Sequence, residues 1–289
     1  MTTNIDLFSH RKEEPENSVL YLVGTPIGNI NDISNRAVNI LKSCSFIICE
    51  DTRNTKFLLN QIEVSNKLIS FHKFNSTSRI PQIISKLKNG ESIAMVSDAG
   101  MPLISDPGEE LVKQVKLNKY DVICVPGPCA GITALVSSGL QTSKFVFYGF
   151  LPRKIKDRDL FLKLICKSPF TSIIYESPKR IKSLLSDLKK SCGNKRQVAV
   201  ARELTKRYEQ HFKNDIGQLI EYFEKVEPKG EFTIIVEGNS EKDNDFSSNI
   251  SLKDDLISLI KAGLSHSSAA SFLAKKYNRS KNDIYKLII

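Results

Sequence analysis

Three short segments carry the residue types from which a ligand site could be built. Gly24-Thr25-Pro26-Ile27-Gly28-Asn29 follows an apolar run. Two glycines in such a loop let the backbone approach a ligand closely. The stretch Ser97–Gly108 holds two Gly, two Pro and two Asp in a turn-rich loop, and Pro126-Gly127-Pro128-Cys129-Ala130-Gly131 repeats the theme. Each segment by itself reads as a tight turn. All three follow β-branched runs, and in open α/β sheets ligands bind at the carboxyl ends of strands. Together they imply one shared crevice whose backbone amides, carbonyls and Asp98 could grip a zwitterionic ligand. Neither GxGxxG nor a Walker A pattern is present, which disfavours a dinucleotide or a nucleoside triphosphate. Asp106, just before Pro107, reads as a helix N-cap.

The elements that must position these loops alternate. Expected strands are 19–23, 45–50, 67–71, 92–96 and 121–125, then 145–150, 171–176, 197–202 and 231–237. Helical periodicity covers 33–42, 79–88, 109–117, 130–138, 178–190 and 217–225. Alternation of this kind defines an α/β fold. Runs such as Phe46-Ile47-Ile48-Cys49 are apolar on both faces and belong in a sheet covered by helices. The reading divides the chain into a disordered tail (1–18), an α/β lobe (19–140), a second α/β lobe (141–238), a polar linker (239–251) and a small helical, helix-turn-helix-like domain (252–289). Its helices are expected at 252–262, 267–277 and 281–289, with Ser265 and Ser280 as caps.

Charge is uneven. Residues 1–135 hold 14 basic and 14 acidic side chains, whereas residues 151–213 hold 17 and six. A neutral half joined to a basic half suits a polyanion. The six cysteines form no CxxC, and metal-ligand spacing is absent, so a reduced, cytoplasmic protein without a metal is expected. No run is long enough for a membrane span, and residues 1–18 lack the apolar core of a signal peptide.

The ordered series LYLVGTPIGN, CEDTRNTKFLL, SDAGMPLISDPG, VPGPCAGITAL, FYGFLPRK, YESPKR, ARELTK and GEFTIIVEG resembles the ribosomal branch of the tetrapyrrole-methylase (class III) superfamily over residues 19–238. The resemblance implies two α/β lobes with S-adenosylmethionine in the cleft between them, and a homodimer. It implies 2′-O-methylation of a cytidine ribose in small-subunit rRNA, as free rRNA or in the assembled 30S subunit. On the cofactor it places Gly24, Thr25 and Pro26, then Asp98, Ala99, Gly100, Met101, Pro102, Leu103 and Ile104. To these it adds Pro126, Gly127, Ala130, Ile132 and Thr133, and from the second lobe Tyr175, Ala201 and Thr233.

Methyl transfer from a sulfonium needs alignment more than acid–base chemistry. A base near the ribose hydroxyl would add about 10²–10⁴ in rate. Asp51, Glu176 and Glu203 end strands in the motifs of this branch. Glu203 is the preferred base, and Lys206 would stabilise developing negative charge or a phosphate. Each carboxylate could equally be the partner of a nearby arginine. Arg53, Arg153, Lys154, Lys179, Arg180 and Arg202 are the expected contacts to RNA phosphates. Two other functions fit parts of the pattern: a methylase of the same fold acting on tetrapyrrole precursors, and a non-enzymatic RNA-binding protein.

Overall fold

The structure, a computed structural model, describes residues 14–239, 246–277 and 280–285. It separates into two units, one ending at Gly238 and one beginning at Asn239.

The larger unit holds two five-stranded sheets. The first is built from β1 (Val19–Val23), α1 (Asn35–Ser43), β2 (Phe46–Cys49), α2 (Thr52–Gln61), β3 (Leu68–Ser70), α3 (Ser76–Lys88), β4 (Ile93–Val96), α4 (Glu109–Leu117), β5 (Asp121–Val125) and α5 (Ala130–Ser137). Its strand order is β3-β2-β4-β1-β5, and every pairing is parallel. Parallel neighbours require crossovers, and the crossover helices cover both faces. Hence β2 and β4 are buried throughout, with separate apolar clusters on the two faces of the sheet. Local chemistry starts the helices. Ser34 accepts from the Ala37 amide at 3.1 Å to cap α1, and Asp51 accepts from the Arg53 amide at 2.8 Å to cap α2.

The second sheet comprises β6 (Phe145–Phe150), α6 (Ile155–Lys167), β7 (Thr171–Glu176), α7 (Ile181–Cys192), β8 (Gln197–Arg202), β9 (Gln210–Asp215), α8 (Ile216–Lys225) and β10 (Phe232–Val236). Its order is β6-β7-β10-β8-β9. Only β6 with β7 is parallel; β10 pairs antiparallel with both β7 and β8, and β9 with β8. On one face α6, α7 and α8 bury a leucine-rich core. On the other, α5 of the first lobe inserts Ala134 and Leu135 against Ile173, Ala199, Ala201 and Ile235. The lobes thus share a core at α5.

β9 is absent from the sequence reading. It is an edge strand of polar residues in which Phe212 is the one apolar side chain and only Phe212 and Asp215 are half-buried, so it lacks the apolar run that marks a covered strand. Residues 14–18, read as part of the tail, are held to the fold: Glu14 pairs with Arg36 at 2.7 Å, and the Glu16 amide donates to the Tyr21 hydroxyl at 2.8 Å. Residues 1–13 lie outside the description.

The smaller unit consists of α9 (Phe246–Lys261), α10 (His266–Tyr277) and α11 (Lys281–Tyr285). They bury Leu252, Leu256, Ala269, Ala270, Leu273 and Ile284. α9 begins inside the segment read as linker. Once the apolar face from Leu252 onward nucleates a helix, adding residues at its start is cheap even without apolar period. Residues 240–245 and 286–289 of the expected linker and last helix lie outside the described residues. Ser265 caps α10 through the Ser268 amide at 3.1 Å, and Ser280 accepts from the Asn282 amide at 3.2 Å.

Candidate active site

The three turn-rich loops meet. Thr25 and Gly100 exchange backbone hydrogen bonds of 2.9 and 3.1 Å, and the Gly24 amide donates to Val125 O at 3.1 Å. Thr25 is fully buried, its hydroxyl directed at the Ser97 and Gly100 carbonyls. Gly24 and Gly127 press backbone to backbone. A Cβ on Gly24 would lie 2.7 Å from Gly127 Cα, and one on Gly127 would lie 2.8 Å from Gly24 Cα. Leu103 and Ser105 both hold φ of 69°, a conformation that L-residues enter at a cost and that clusters at functional loops.

Between these loops and the second sheet lies a cavity of about 380 Å³. That is within the range of roughly 300–1,000 Å³ for small-molecule sites. The first lobe contributes Ile27, Asp98, Ala99, Gly100, Met101, Ile104, Ser105, Asp106, Cys129 and Ala130. The second contributes Phe150, Tyr175, Glu176, Ser177, Pro178, Glu231, Phe232 and Thr233. Tyr175 ties the lobes together, its hydroxyl accepting from the Gly131 amide at 2.9 Å.

Of the residues expected on the cofactor, Asp98, Ala99, Gly100, Met101, Ile104, Ala130, Tyr175 and Thr233 line this cavity. Others stand behind it. Gly24, Thr25 and Gly127 form the loop–loop contact, Leu103 packs against the first lobe's core, and Pro102 is buried. Pro26 lines a neighbouring cavity instead. Pro126 and Ile132 are exposed, and the Thr133 hydroxyl is spent on Cys129 O at 2.9 Å. Ala201 lies in the α5 core, because its side chain points to that face of β8.

The catalytic candidates separate by their partners. Arg53 grips Asp51 at 2.7 and 3.1 Å. This side-chain pairing, with the Arg53 amide, holds the Asp51 carboxyl at about 2, so Asp51 is a poor base at neutral pH. Partial burial pushes Glu203 up, but the Glu231 amide, Lys206 and Arg202 outweigh it and leave the carboxyl below its usual range. Glu203 takes the Glu231 amide at 2.9 Å and the Lys206 ammonium at 3.1 Å. It therefore fixes the β8–β9 turn, in which Glu203 and Thr205 have positive φ. Lys206, also 3.0 Å from Glu231, faces the neighbouring cavity. Glu176 is different: it is 2% exposed and its Oε1 takes the Ser177 amide at 2.8 Å. Its Oε2 is buried with no hydrogen-bond partner among the described residues. A buried acceptor without a donor is costly, and here it belongs to a cavity wall.

The phosphate candidates also divide. Arg153, Lys154 and Lys179 are exposed around the β6–α6 and β7–α7 turns, and Arg53 is exposed while paired to Asp51. Arg180 and Arg202 are committed elsewhere. Arg180 Nη2 donates to Leu151 O at 3.0 Å and its Nε lies 3.4 Å from Glu176. Arg202 donates to Lys229 O and, at 2.7 Å, to Gln210.

Asp106 corrects the sequence reading. The residue capping α4 is Gly108, at φ 135°, and Asp106 instead lines the cavity. Burial pushes its carboxyl up to about 6, helped by Glu50 and Asp98 and opposed by a hydrogen bond with Ser97. Between its ordinary value of 3.8 and about 6, the folded chain keeps a proton that the unfolded chain has released. This group therefore lowers stability as pH rises through that window. Asp106→Asn should flatten that part of the stability–pH profile. Urea melts of both proteins across the window check it, and parallel profiles would dismiss Asp106 as the source.

Fold and cavity together define a two-lobed α/β protein with a cavity of small-molecule size between an all-parallel and a mixed sheet. The pattern of the tetrapyrrole (corrin/porphyrin) methylases matches residues 19–220, and the chain belongs to that family. Among its relatives is the ribosomal RNA small subunit methyltransferase I of Synechocystis sp., 42% identical over 269 residues, covering 93% of this chain and 96% of the relative. The protein of the same name from Halalkalibacterium halodurans is 45% identical, covering 80% of each chain, and that from Escherichia coli O157:H7 is 38% identical, covering 96% of each. A cobalt-precorrin-4 methyltransferase superposes with a TM-score of 0.58 at 14% identity, covering 76% of this chain and 95% of the other. A Thermus thermophilus uroporphyrin-III C-methyltransferase complexed with S-adenosylhomocysteine gives 0.53 at 16%, covering 75% and 96%. At such identities the superpositions speak to fold.

Proposed function

We propose that the protein is an S-adenosylmethionine-dependent methyltransferase of small-subunit rRNA, acting on a cytidine ribose 2′-hydroxyl. The observation that carries this reading is the near-full-length likeness to proteins named ribosomal RNA small subunit methyltransferase I. The cavity suits the cofactor. It is of small-molecule size, it is backed by glycines that admit no side chain, and its wall holds an orphaned carboxylate oxygen on Glu176. Asp98, Asp106 and Glu176 would accept from the cofactor's ammonium and ribose hydroxyls, while Met101, Ile104 and Phe232 give apolar contact. When bound, the cofactor supplies an electrophilic methyl on a sulfonium. The chain's part is to hold the target oxygen in line with that methyl and to keep water out.

Lys206, facing the adjoining cavity, would neutralise an anionic oxygen or phosphate of the substrate. Exposed cations on the second lobe, among them Arg153, Lys154, Lys163, Lys179 and Lys189, would carry the rRNA backbone. Their spread over an outer surface favours a polyanion over a tetrapyrrole precursor, which would need cations only within the cleft. The working form would be a homodimer acting in the cytoplasm on small-subunit rRNA, free or in the assembled 30S subunit. The described residues contain no helix long and apolar enough to cross a membrane.

The test is a 2′-O-methylation map of small-subunit rRNA from cells with and without the gene, followed by restoration in vitro with purified protein, 30S subunits and labelled donor. A single cytidine that loses and regains its methyl is the expected result. An unchanged map, with no transfer in vitro, overturns the reading.

A further inference from the structure

A second cavity, of about 670 Å³, adjoins the first. The two share Ile27, Asp98, Ala99 and Glu231 as a common wall. Nothing in the first cavity's chemistry calls for this neighbour, and its lining differs in kind.

One side is a face of α2. Asn54, Phe57 and Gln61, at i, i+3 and i+7, fall on one helical face and all border the cavity. Phe57 is 66% exposed, so most of its ring is left open to a partner. The amides on either side differ in their engagement. Asn54 donates through Nδ2 to Asp98 at 2.9 Å, which leaves its carbonyl oxygen as an acceptor. Gln61 makes no side-chain hydrogen bond among the described residues. The opposite side is the β8–β9 turn, with Lys206 and Arg207. Arg207 has no carboxylate partner among the described residues; its guanidinium lies 5.6 Å from the Tyr208 ring. The turn is fastened to the first lobe by Thr205 Oγ1, which accepts from the Asn29 amide at 3.0 Å.

An exposed aromatic face, amide groups beside it and, opposite, a guanidinium with no carboxylate partner among the described residues make up the chemistry that holds an unstacked nucleotide. We propose that this second cavity is the seat of the target nucleotide. Its base would stack on Phe57 with its edge on the Asn54 and Gln61 amides, and a flanking phosphate would meet Arg207. The common wall then becomes the border across which the methyl passes, from a donor on one side to a ribose oxygen on the other. This inference rests on the function proposed above and adds to it the place and manner of substrate binding.

Phe57→Ala separates this subsite from the donor site. Transfer from labelled donor to 30S subunits should lose about ten- to a hundredfold in kcat/KM, the range of one lost base–aromatic stack. Calorimetric affinity for S-adenosylhomocysteine should stay within about twofold. Phe57→Tyr should restore transfer, and Phe57→Leu, of similar apolarity but without a π-face, should not. Wild-type transfer by Phe57→Ala, or full rescue by leucine, overturns the subsite and leaves the methyltransferase reading standing. Failure of the unsubstituted protein to methylate any RNA overturns both.

Discussion

Gly127→Ala should cost this protein its methyl donor. The new Cβ would stand 2.8 Å from Gly24 Cα and 2.9 Å from Gly24 C. Both are backbone atoms and cannot rotate aside as a side chain would. The first loop must move, and it cannot move alone. Thr25 is tied to Gly100 by paired backbone hydrogen bonds, so a shift at Gly24 pulls on the loop that carries Asp98 to Met101 into the cavity. Overpacking of this kind costs about 1–3 kcal/mol. If the strain is relieved by opening the loops, the loss falls on ligand binding, and about 3 kcal/mol corresponds to roughly a hundredfold in affinity. Titration of the variant with S-adenosylhomocysteine measures it, with far-ultraviolet circular dichroism to show that the fold persists. Binding at wild-type strength would mean that the Gly24–Gly127 contact is incidental to the cavity.

That contact shows what kind of information the sequence holds. Glycine at 24, 100 and 127 after apolar runs is a local signal, and the structure brings the three loops together at the ends of β1, β4 and β5. Parallel strands buried on both faces are likewise visible, because β2 and β4 must be apolar at every position. Pairings across the fold leave no such trace. Asp106 precedes a proline and a helix, which suggests a cap. Its place in a cavity wall depends on the second lobe closing over it. α2, α6 and β9 are all missing from the elements expected of the sequence: α2 buries only Thr55 and Leu59, α6 only Arg158, Leu162 and Ile165, and β9 is a polar edge. α2 carries Phe57, so the segment without a hydrophobic signature is the one that presents an aromatic ring to the second cavity. Residues placed for a ligand do not follow the pattern that residues placed for a core must obey.

The same distinction sets the outcome at Arg180. In a basic segment, an arginine after Ser-Pro-Lys reads as a phosphate contact, and charge reversal would then leave the fold intact while weakening RNA binding in a salt-dependent way. The geometry implies a different result. The Arg180 guanidinium sits between the Leu151 carbonyl, 3.0 Å away, and Glu176 Oε1, 3.4 Å from its Nε. It therefore joins the end of β6 to the end of β7, two of the strands that bound the cavity. Glu176 has 1% of its side chain exposed, and its Oε1 is held by this arginine and the Ser177 amide. Arg180→Glu removes the cation, leaves Leu151 O without its donor and sets a second carboxylate beside a buried one. Breaking a buried pair by losing one partner costs about 3–5 kcal/mol, and for a unit of this size that lowers the melting temperature by on the order of 10 °C. Donor binding should fall with it, since Glu176 lines the cavity. Arg180→Gln, whose amide nitrogen reaches the place of Nε beside Glu176 Oε1 but falls short of Leu151 O, should lie between the two. Scanning calorimetry and donor titration on the three proteins decide the matter. A stable Arg180→Glu protein that binds the donor normally but has lost the ribosomal subunit would return this residue to the RNA surface and refute its role as a clamp.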